Sequence, residues 1–161
     1  MKTANEIAEI FKNKYSSYIL SISAQRERRL WVEVNPETFR EVFEKITSDE
    51  GFSIMSTISG LDLKDKFQVI YHMSNEDGVV ISIKVDADRE NPVVPTITDL
   101  FPAAELSERE LEDLLGIKVS GLVQGRRYPL PDKWPDGQYP LRKDWDKSVL
   151  NNKTEDGGKN E

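Results

Sequence analysis

The sequence predicts an α+β fold, in which a small, mostly antiparallel sheet carries helices on one face and is followed by a long extended C-terminal strap. Two early segments space their apolar residues as amphipathic helices do, and five short segments alternate apolar and polar residues as half-buried strands do. The stretch from Ile117 to Trp145 shows neither pattern. A chain of 161 residues suffices for one domain with a sizeable core.

The N-terminal part is predicted to begin with a helix, a hairpin and a second helix. Thr3-Ala-Asn-Glu6 is a capping box and marks the start of the first helix. Alternation predicts strands over residues 18–22 and 30–34, with a charged turn between them. Asn35-Pro36 predicts the start of the second helix, because proline favours the first helical position.

Three further strands are predicted after the loop at Gly51. Apolar residues alternate with polar ones over residues 52–58, 67–73 and 79–85. Asp77-Gly78 predicts a tight turn between the last two strands. The short spacing predicts an antiparallel meander, and the helices are then expected together on one face of the sheet.

A densely charged helix is predicted near the end of this domain. It is expected to start at Ser107, with Glu110 completing a capping box, and to end at Gly116. Arg109 is expected to pair with Glu105 one turn before it and with Asp113 one turn after it. Composition alone indicates an ordinary solvated helix.

The segment 117–147, called the strap below, is predicted to dock onto another protein. Ordered loops longer than about 12–15 residues are uncommon and usually functional or disordered. Disorder goes with few aromatic residues, yet the strap contains two Trp and two Tyr. Trp, Tyr and Arg are the residues that most often anchor interfaces. Residues 1–116 then form the α+β domain, and 148–161 are expected to be a disordered tail.

Simpler roles for the same strap residues stay open at this point. The tryptophans Trp134 and Trp145 could pack on the chain's own sheet, and the basic pairs Arg126-Arg127 and Arg142-Lys143 could be solvated surface charge. One feature argues against a role as solvated charge: each basic pair lies beside an aromatic residue and a proline, which restrict the backbone before binding. Arginine also suits two-pronged pairing with a carboxylate of a partner.

Composition excludes several classes of function. The net charge of −7 argues against nucleic-acid binding. The absence of cysteine excludes disulfides, cysteine-ligated iron–sulfur clusters and thiol nucleophiles in this chain. No apolar run approaches the roughly 18 residues of a membrane-spanning helix. Association with a membrane is therefore expected only through partner proteins.

Few residues suggest catalysis or metal binding. His72 is the only histidine and is expected to be exposed on a strand, which favours a surface role over a metal ligand. Asp62 and Asp65 are interpreted as solvated loop residues rather than an acid pair. A free-standing enzyme that uses Asp62, Asp65 or Glu108 as an acid or base remains an alternative hypothesis.

Three stretches of the last third carry a resemblance to a known family. They are Glu108-Arg109-Glu110-Leu-Glu-Asp113-Leu-Leu-Gly116-Ile117, then Arg126-Arg127 with Pro131-Asp132-Lys-Trp134-Pro135-Asp-Gly137, and Tyr139-Pro-Leu-Arg-Lys-Asp144-Trp145. In this order they resemble the thirty-kilodalton-subunit family of respiratory complex I, which has relatives in membrane-bound nickel–iron hydrogenases. The family commonly has Gly-His-Pro where this chain has Gly121-Leu-Val-Gln-Gly125. That difference favours a branch other than the usual NADH–quinone complexes.

The resemblance implies a cofactor-free accessory subunit in the peripheral arm of a membrane-bound redox complex, on the cytoplasmic side. Its expected partners are the large catalytic subunit, which it would clamp, and the small iron–sulfur subunit; these would hold the iron–sulfur clusters and a nickel–iron centre. A ferredoxin-linked hydrogenase-type complex is favoured, with an NADH–quinone or related quinone complex, or a soluble adaptor unrelated to respiration, as alternatives. The implied partner-binding residues lie on the charged helix and the strap: Glu108, Arg109, Glu110, Asp113, Arg126, Arg127, Tyr128, Trp134, Tyr139, Pro140, Leu141, Arg142, Lys143, Asp144 and Trp145.

The purified chain is expected to be colourless and free of stoichiometric metal, because it has no cysteine and a single histidine. Metal analysis and an absorption spectrum of the isolated protein check this. One bound iron, nickel or zinc per chain would contradict it.

Overall fold

A five-stranded sheet lies at the centre of the computed structural model, which describes residues 2–151. The strands are β1 Ile19–Arg26, β2 Arg29–Val34, β3 Ile54–Asp62, β4 Lys66–Ser74 and β5 Val80–Asp88. Their spatial order is β1-β2-β5-β4-β3, and every neighbouring pair is antiparallel except β2 and β5, which run parallel. The predicted fold class, a mostly antiparallel α+β sheet, is confirmed.

Two helices cover one face of this sheet and complete the core. Helix α1 spans Ala4–Lys14 and begins at the predicted capping box of Thr3 and Glu6, while α2 spans Phe39–Asp49 after a 3₁₀ turn at Pro36–Thr38. Alternate side chains of the central strands are buried on the helix side, and these are Phe67, Val69, Tyr71, Met73, Ile81, Ile83 and Val85. The ring of Phe39 stacks on Tyr71 at 4.7 Å between centroids, which joins α2 to β4.

The opposite face of the sheet is more polar but is not fully solvated. His72 is half-buried there rather than exposed, because its Nδ1 lies 2.9 Å from Ser82 Oγ and its ring meets Trp31 edge-on at 6.1 Å. Burial lowers the pKa of the His72 imidazole, and the nearby charge of Arg29 lowers it further. Both effects favour the neutral form of the imidazole.

The C-terminal part of the domain adds a second, two-stranded sheet and a third helix. Strand β6 at Val93–Pro95 runs parallel to β7 at Lys118–Ser120. The predicted absence of regular structure from Ile117 onward is therefore wrong at its start. Between these strands, a 3₁₀ turn at Pro102–Ala104 leads directly into α3 at Glu105–Glu110.

The charged helix α3 starts earlier than the sequence indicates. Its N-cap is Ala104, which makes no side-chain capping bond, so the predicted capping box at Ser107 is wrong. The preceding 3₁₀ turn explains the difference, because it lets the chain enter the helix without a polar cap. The helix continues as a single π-helical turn, Leu111–Leu115, and ends as predicted at Gly116, whose φ of 67° is left-handed.

The π-helical turn packs directly on the backbone of edge strand β3. A Cβ at Gly60 would overlap Leu115 Cδ1 and lie 2.7 Å from Leu111 Cδ2. The missing side chain of Gly60 therefore lets α3 approach β3 closely. This contact fixes the end of α3, from which the strap departs.

The last described element is a single turn of helix α4 at Ser148–Asn151. The remainder of the predicted tail, residues 152–161, lies outside the described residues. Across residues 2–151, none of the helices has the length and apolar character needed to cross a membrane.

A chain ending after Gly116 should unfold at a lower temperature than a chain ending after Leu122. Both lose the strap's later contacts, but only the shorter one loses the core residues Ile117 and Val119, which are buried. Burial of each such side chain contributes about 1.5–3 kcal/mol. Thermal melts of the two truncated chains measure the difference, and equal melting temperatures would show that β7 does not belong to the core.

Candidate partner-binding region

Glu108, on α3, is used inside the domain. Its carboxylate is fully buried and accepts hydrogen bonds from Thr96 Oγ1 at 2.6 Å and from the Ile97 amide at 2.7 Å. Burial raises the pKa of the Glu108 carboxyl, although these two hydrogen bonds oppose the shift. The side chain therefore holds the segment after β6 against α3, and it offers no exposed acid for catalysis or for a partner.

Arg109 is buried as well and holds the loop that follows β7. Its guanidinium pairs with Glu105 at 2.8 Å and donates to the Val123 carbonyl at 2.9 Å. The group lies against Gly125, where any Cβ would collide with it. The predicted pair with Glu105 is confirmed. The predicted pair with Asp113 is wrong, since that carboxylate contacts Arg127 and the Leu130 amide of the strap.

Asp113 ties α3 to the first half of the strap. Its buried carboxylate accepts hydrogen bonds from Arg127 Nε at 2.8 Å and from the Leu130 amide at 3.2 Å. The same guanidinium donates to the Trp134 carbonyl at 2.8 Å. The pair of Asp113 and Arg127 thus connects the π-helical turn to residues 127–134 of the strap.

A second anchor, at Asp62, holds the far end of the strap. The predicted position of Asp62 in a solvated loop is wrong, because the residue is buried at the end of β3. The carboxylate accepts hydrogen bonds from the amides of Lys143 at 2.8 Å and Lys64 at 2.7 Å, and it pairs with Arg89 at 2.8 Å. Burial alone would raise its pKa, but these partners outweigh burial and lower the pKa of Asp62 to about 2.

Arg142 caps the C-terminal end of the π-helical turn. Its Nε donates to the Leu115 carbonyl at 2.7 Å, and the guanidinium carbon lies 4.5 Å from the ring centroid of Tyr139 and 5.0 Å from that of Phe67. Gly116 makes room for this arrangement, since a Cβ there would come within 2.6 Å of the Tyr139 ring. Pairing of Arg142 with an acid of a partner stays a prediction, and within the chain the guanidinium already has these contacts.

The two tryptophans of the strap pack against each other. Their ring centroids are 6.1 Å apart with planes tilted by 31°. Both indole N–H groups donate to Gln138, that of Trp134 to the backbone carbonyl at 2.8 Å and that of Trp145 to Oε1 at 3.0 Å. This cluster closes the strap into a loop whose inner side contacts the domain.

The remaining predicted residues lie on the outer side of the strap or at its margin. Leu141 is 56% exposed and Tyr128 is 40% exposed. Arg126 pairs with Asp132 at 3.2 Å, but both side chains stay largely in solvent. Asp144 pairs with Arg89 at 2.7 Å and is also exposed. Half-buried positions are Glu110, Tyr139 and Pro140, while the side chain of Lys143 is exposed.

Buried charged side chains and exposed apolar side chains lie on opposite sides of the strap. Across residues 2–151, acidic and histidine side chains form no group of three or more that could hold a metal ion. The strap instead combines inward-facing buried charges with outward-facing apolar and charged side chains. That is the distribution expected of a preordered docking surface.

Comparison with known proteins gives the family. Residues 32–149 match the family described as the 30 Kd subunit of the respiratory-chain NADH dehydrogenase. The chain belongs to this family. The resemblance drawn from the last third is confirmed, and the match extends back into strand β2.

Relatives within the thirty-kilodalton-subunit family include hydrogenase subunits. The chain is 31% identical to the membrane-bound hydrogenase subunit beta of Pyrococcus furiosus, over 88% of this chain and 83% of that protein. It is 36% identical to formate hydrogenlyase subunit 5 of Escherichia coli over 81% of its own length, but spans only 24% of that longer protein. A chain of the membrane-bound sulfane sulfur reductase, an archaeal respiratory membrane complex, has the same fold with a TM-score of 0.81 and 28% identity, over 98% of this chain and 94% of that chain.

Replacing Asp62 by Asn should lower the melting temperature near pH 7, because hydrogen bonds to a charged group contribute about 1.5–3 kcal/mol. The pKa of Asp62 in the folded chain is about 2, and that of an unfolded Asp is about 3.9. The carboxylate therefore stabilises the fold above about pH 4 and ceases to do so as the pH falls towards 2. The difference in melting temperature between the wild type and Asp62→Asn should shrink over that interval.

Asp65→Asn is the matched control, since Asp65 is an exposed neighbour on the same turn and should leave the melting curve unchanged. Equal melting of the wild type and Asp62→Asn at pH 7 would show that this anchor does not hold the strap.

Proposed function

We propose that this chain is an accessory subunit of the peripheral arm of a membrane-bound respiratory redox complex, where α3 and the strap dock onto the large catalytic subunit. One observation carries the proposal. The strap is fixed to its own domain through the buried acids Asp62 and Asp113, yet it leaves Leu141 and Tyr128 in solvent. Membership of the thirty-kilodalton-subunit family supports the assignment to a respiratory complex.

The anchors give the docking surface its physical advantage. A free segment of this length would lose much conformational entropy on binding, which subtracts from affinity. Here the ordering cost is met during folding, through hydrogen bonds that the domain supplies. The subunit would thereby hold its partner in a fixed position relative to the membrane module and the chain of clusters.

The chemistry of the complex is assigned to other subunits. We place the iron–sulfur clusters and a nickel–iron centre on the large subunit and the small iron–sulfur subunit, and this chain on the cytoplasmic side of the membrane. A hydrogenase-type complex is favoured, because the relative from Pyrococcus furiosus, a membrane-bound hydrogenase subunit, matches along most of both chains. An NADH–quinone complex is the second candidate, supported by the description of the family.

Purification of the tagged chain from its source membranes in mild detergent, followed by mass spectrometry, tests the assignment. A nickel–iron large subunit among the co-purifying proteins would select the hydrogenase-type complex, and a quinone-reductase large subunit the second candidate. Recovery of the tagged chain alone would contradict both.

Leu141→Asp should weaken binding to the large subunit by about tenfold or more, since a charge would replace an apolar contact at the centre of the docking surface. The melting temperature of the free chain should stay unchanged, because Leu141 is 56% exposed. Affinity for the large subunit and a melting curve are measured for each variant.

Leu20→Asp is the matched control, because Leu20 is 61% exposed on the edge strand β1, far along the sheet from the strap. Wild-type affinity of Leu141→Asp, or an equal loss for Leu20→Asp, would remove the strap from the interface.

A further inference from the structure

The charge of the strap is opposite to that of the rest of the chain. Residues 117–147 contain seven Lys and Arg against four Asp and Glu, whereas the whole chain has 22 basic and 29 acidic residues. The strap is therefore a basic segment on an acidic protein. This difference in charge affects association, because the summed charge of a surface steers the partner that approaches it.

The acids of the strap are already engaged within the chain. Asp132 pairs with Arg126, Asp136 lies 3.8 Å from Arg127, and Asp144 pairs with Arg89 outside the strap. The fourth acid accepts hydrogen bonds from the backbone and hydroxyl groups of Ser148. Each acid of the strap thus has a partner within the chain, although Asp132 and Asp136 stay largely in solvent.

The lysines of the strap have no such partners. Within residues 2–151, no ion pair reaches the ammonium group of any of the four strap lysines, and all four are exposed: Lys118, Lys133, Lys143 and Lys147. Of the seven lysines that the structure describes outside the strap, four pair with a carboxylate: Lys12, Lys14, Lys45 and Lys66. The surplus positive charge of the strap therefore faces solvent.

Contacts inside the strap bring these lysines near the exposed apolar residue of the docking surface. The contact between the two tryptophan rings joins the segments that carry Lys133 and Lys143. Lys118 and Tyr139 line one shallow cleft at the end of α3. Leu141 lies between Tyr139 and Lys143 in the chain and is largely exposed.

We propose that the outer side of the strap recognises an acidic surface on its protein partner, with the lysines forming a charged rim around the apolar contact at Leu141. This inference rests on the proposed function, because it specifies the chemistry of the partner at the same docking surface. Charged rims mainly raise the association rate and the salt sensitivity of binding, while the apolar contacts they surround determine its lifetime.

A protein partner is favoured over a membrane or a nucleic acid. Phosphate-rich surfaces attract dense clusters of basic residues, whereas the strap lysines are separated by several residues and alternate with engaged acids. The acidic remainder of the chain would also be repelled from such surfaces. A protein partner that places its carboxylates only opposite the strap needs no dense basic cluster. Such a partner also need not approach the acidic remainder of the chain.

The test compares wild type with a triple variant, Lys118→Gln, Lys133→Gln and Lys143→Gln, in the full-length tagged chain. Each is purified in mild detergent across a NaCl series, and the co-purifying large subunit is quantified. At about 0.1 M salt the triple variant should bind about tenfold more weakly. The difference should vanish near 1 M, where the Debye length falls to about 3 Å.

The control carries Lys2→Gln, Lys12→Gln and Lys45→Gln, which changes the net charge equally at two exposed positions and one half-buried position of the domain. Both variants should melt like the wild type. Equal binding by wild type and the strap variant at low salt would overturn the proposal, as would an equal loss for the control.

A vesicle experiment separates a protein partner from a lipid one. Wild type should not bind vesicles of phosphatidylcholine with phosphatidylserine. Binding that the strap variant loses would assign the lysines to a membrane and overturn the proposal.

If the wild-type chain recovers no large subunit at any salt concentration, the proposed function itself fails. If it recovers the large subunit without dependence on salt or on the lysines, only the present inference fails.

Discussion

The contact between the π-helical turn and Gly60 determines where the rest of the C-terminal region can lie. Because β3 presents bare backbone at Gly60, Leu111 and Leu115 reach the sheet, and α3 ends directly beside it. The left-handed residue Gly116 then turns the chain back into the core through Ile117. A side chain at position 60 would lift α3 from β3 and displace the capping site of the strap along with it.

The strap shows how a long segment without regular structure is ordered. A buried backbone needs partners for its amide and carbonyl groups. In a helix or sheet these come from the backbone itself, but here they come from charged side chains such as Asp62, Asp113 and Arg142. Charge-assisted hydrogen bonds are stronger than neutral ones, so a few of them suffice.

Arginines and lysines of this region make different kinds of contact. The arginines at 109, 127 and 142 each reach a backbone carbonyl, and two of them also pair with an acid. A planar guanidinium with five donors suits such multiple contacts, whereas a lysine ammonium is a compact and strongly hydrated charge. The strap accordingly turns its arginines inward and its lysines outward. Arg126, largely in solvent, is the exception.

The helices and strands could be predicted because the residues of each element carry a local pattern of apolar and polar side chains. The alternation in β4 and the capping box at Thr3 are local signals, and the structure follows both. The parallel pairing of β2 with β5 has no such local signal, because it depends on contacts between elements that are far apart in the sequence. Likewise, the residues around Ser107 match a capping box, but a 3₁₀ turn has already started the helix there.

The anchors of the strap were missed for the same reason. Asp62 has partners on three separate segments, and nothing next to it in the sequence indicates Arg89 or Lys143. Its position at the end of an alternating strand, in phase with the buried side, was the one available signal. The Arg and Trp residues of the strap were recognised as contact residues by type, but sequence alone could not divide contacts within the chain from contacts with a partner.

The parallel pairing between β2 and β5 has a consequence for the order of folding. Arg29 lies opposite Val80, and α2, β3 and β4 all lie between these two residues in the chain, so the pairing closes a long loop. Pairings of this kind form late, because the entropy of loop closure is lost before they contribute. The acids that hold the strap lie on β3 and α3 and become buried only when that sheet is complete. A chain without the completed sheet therefore lacks the buried acids that order the strap.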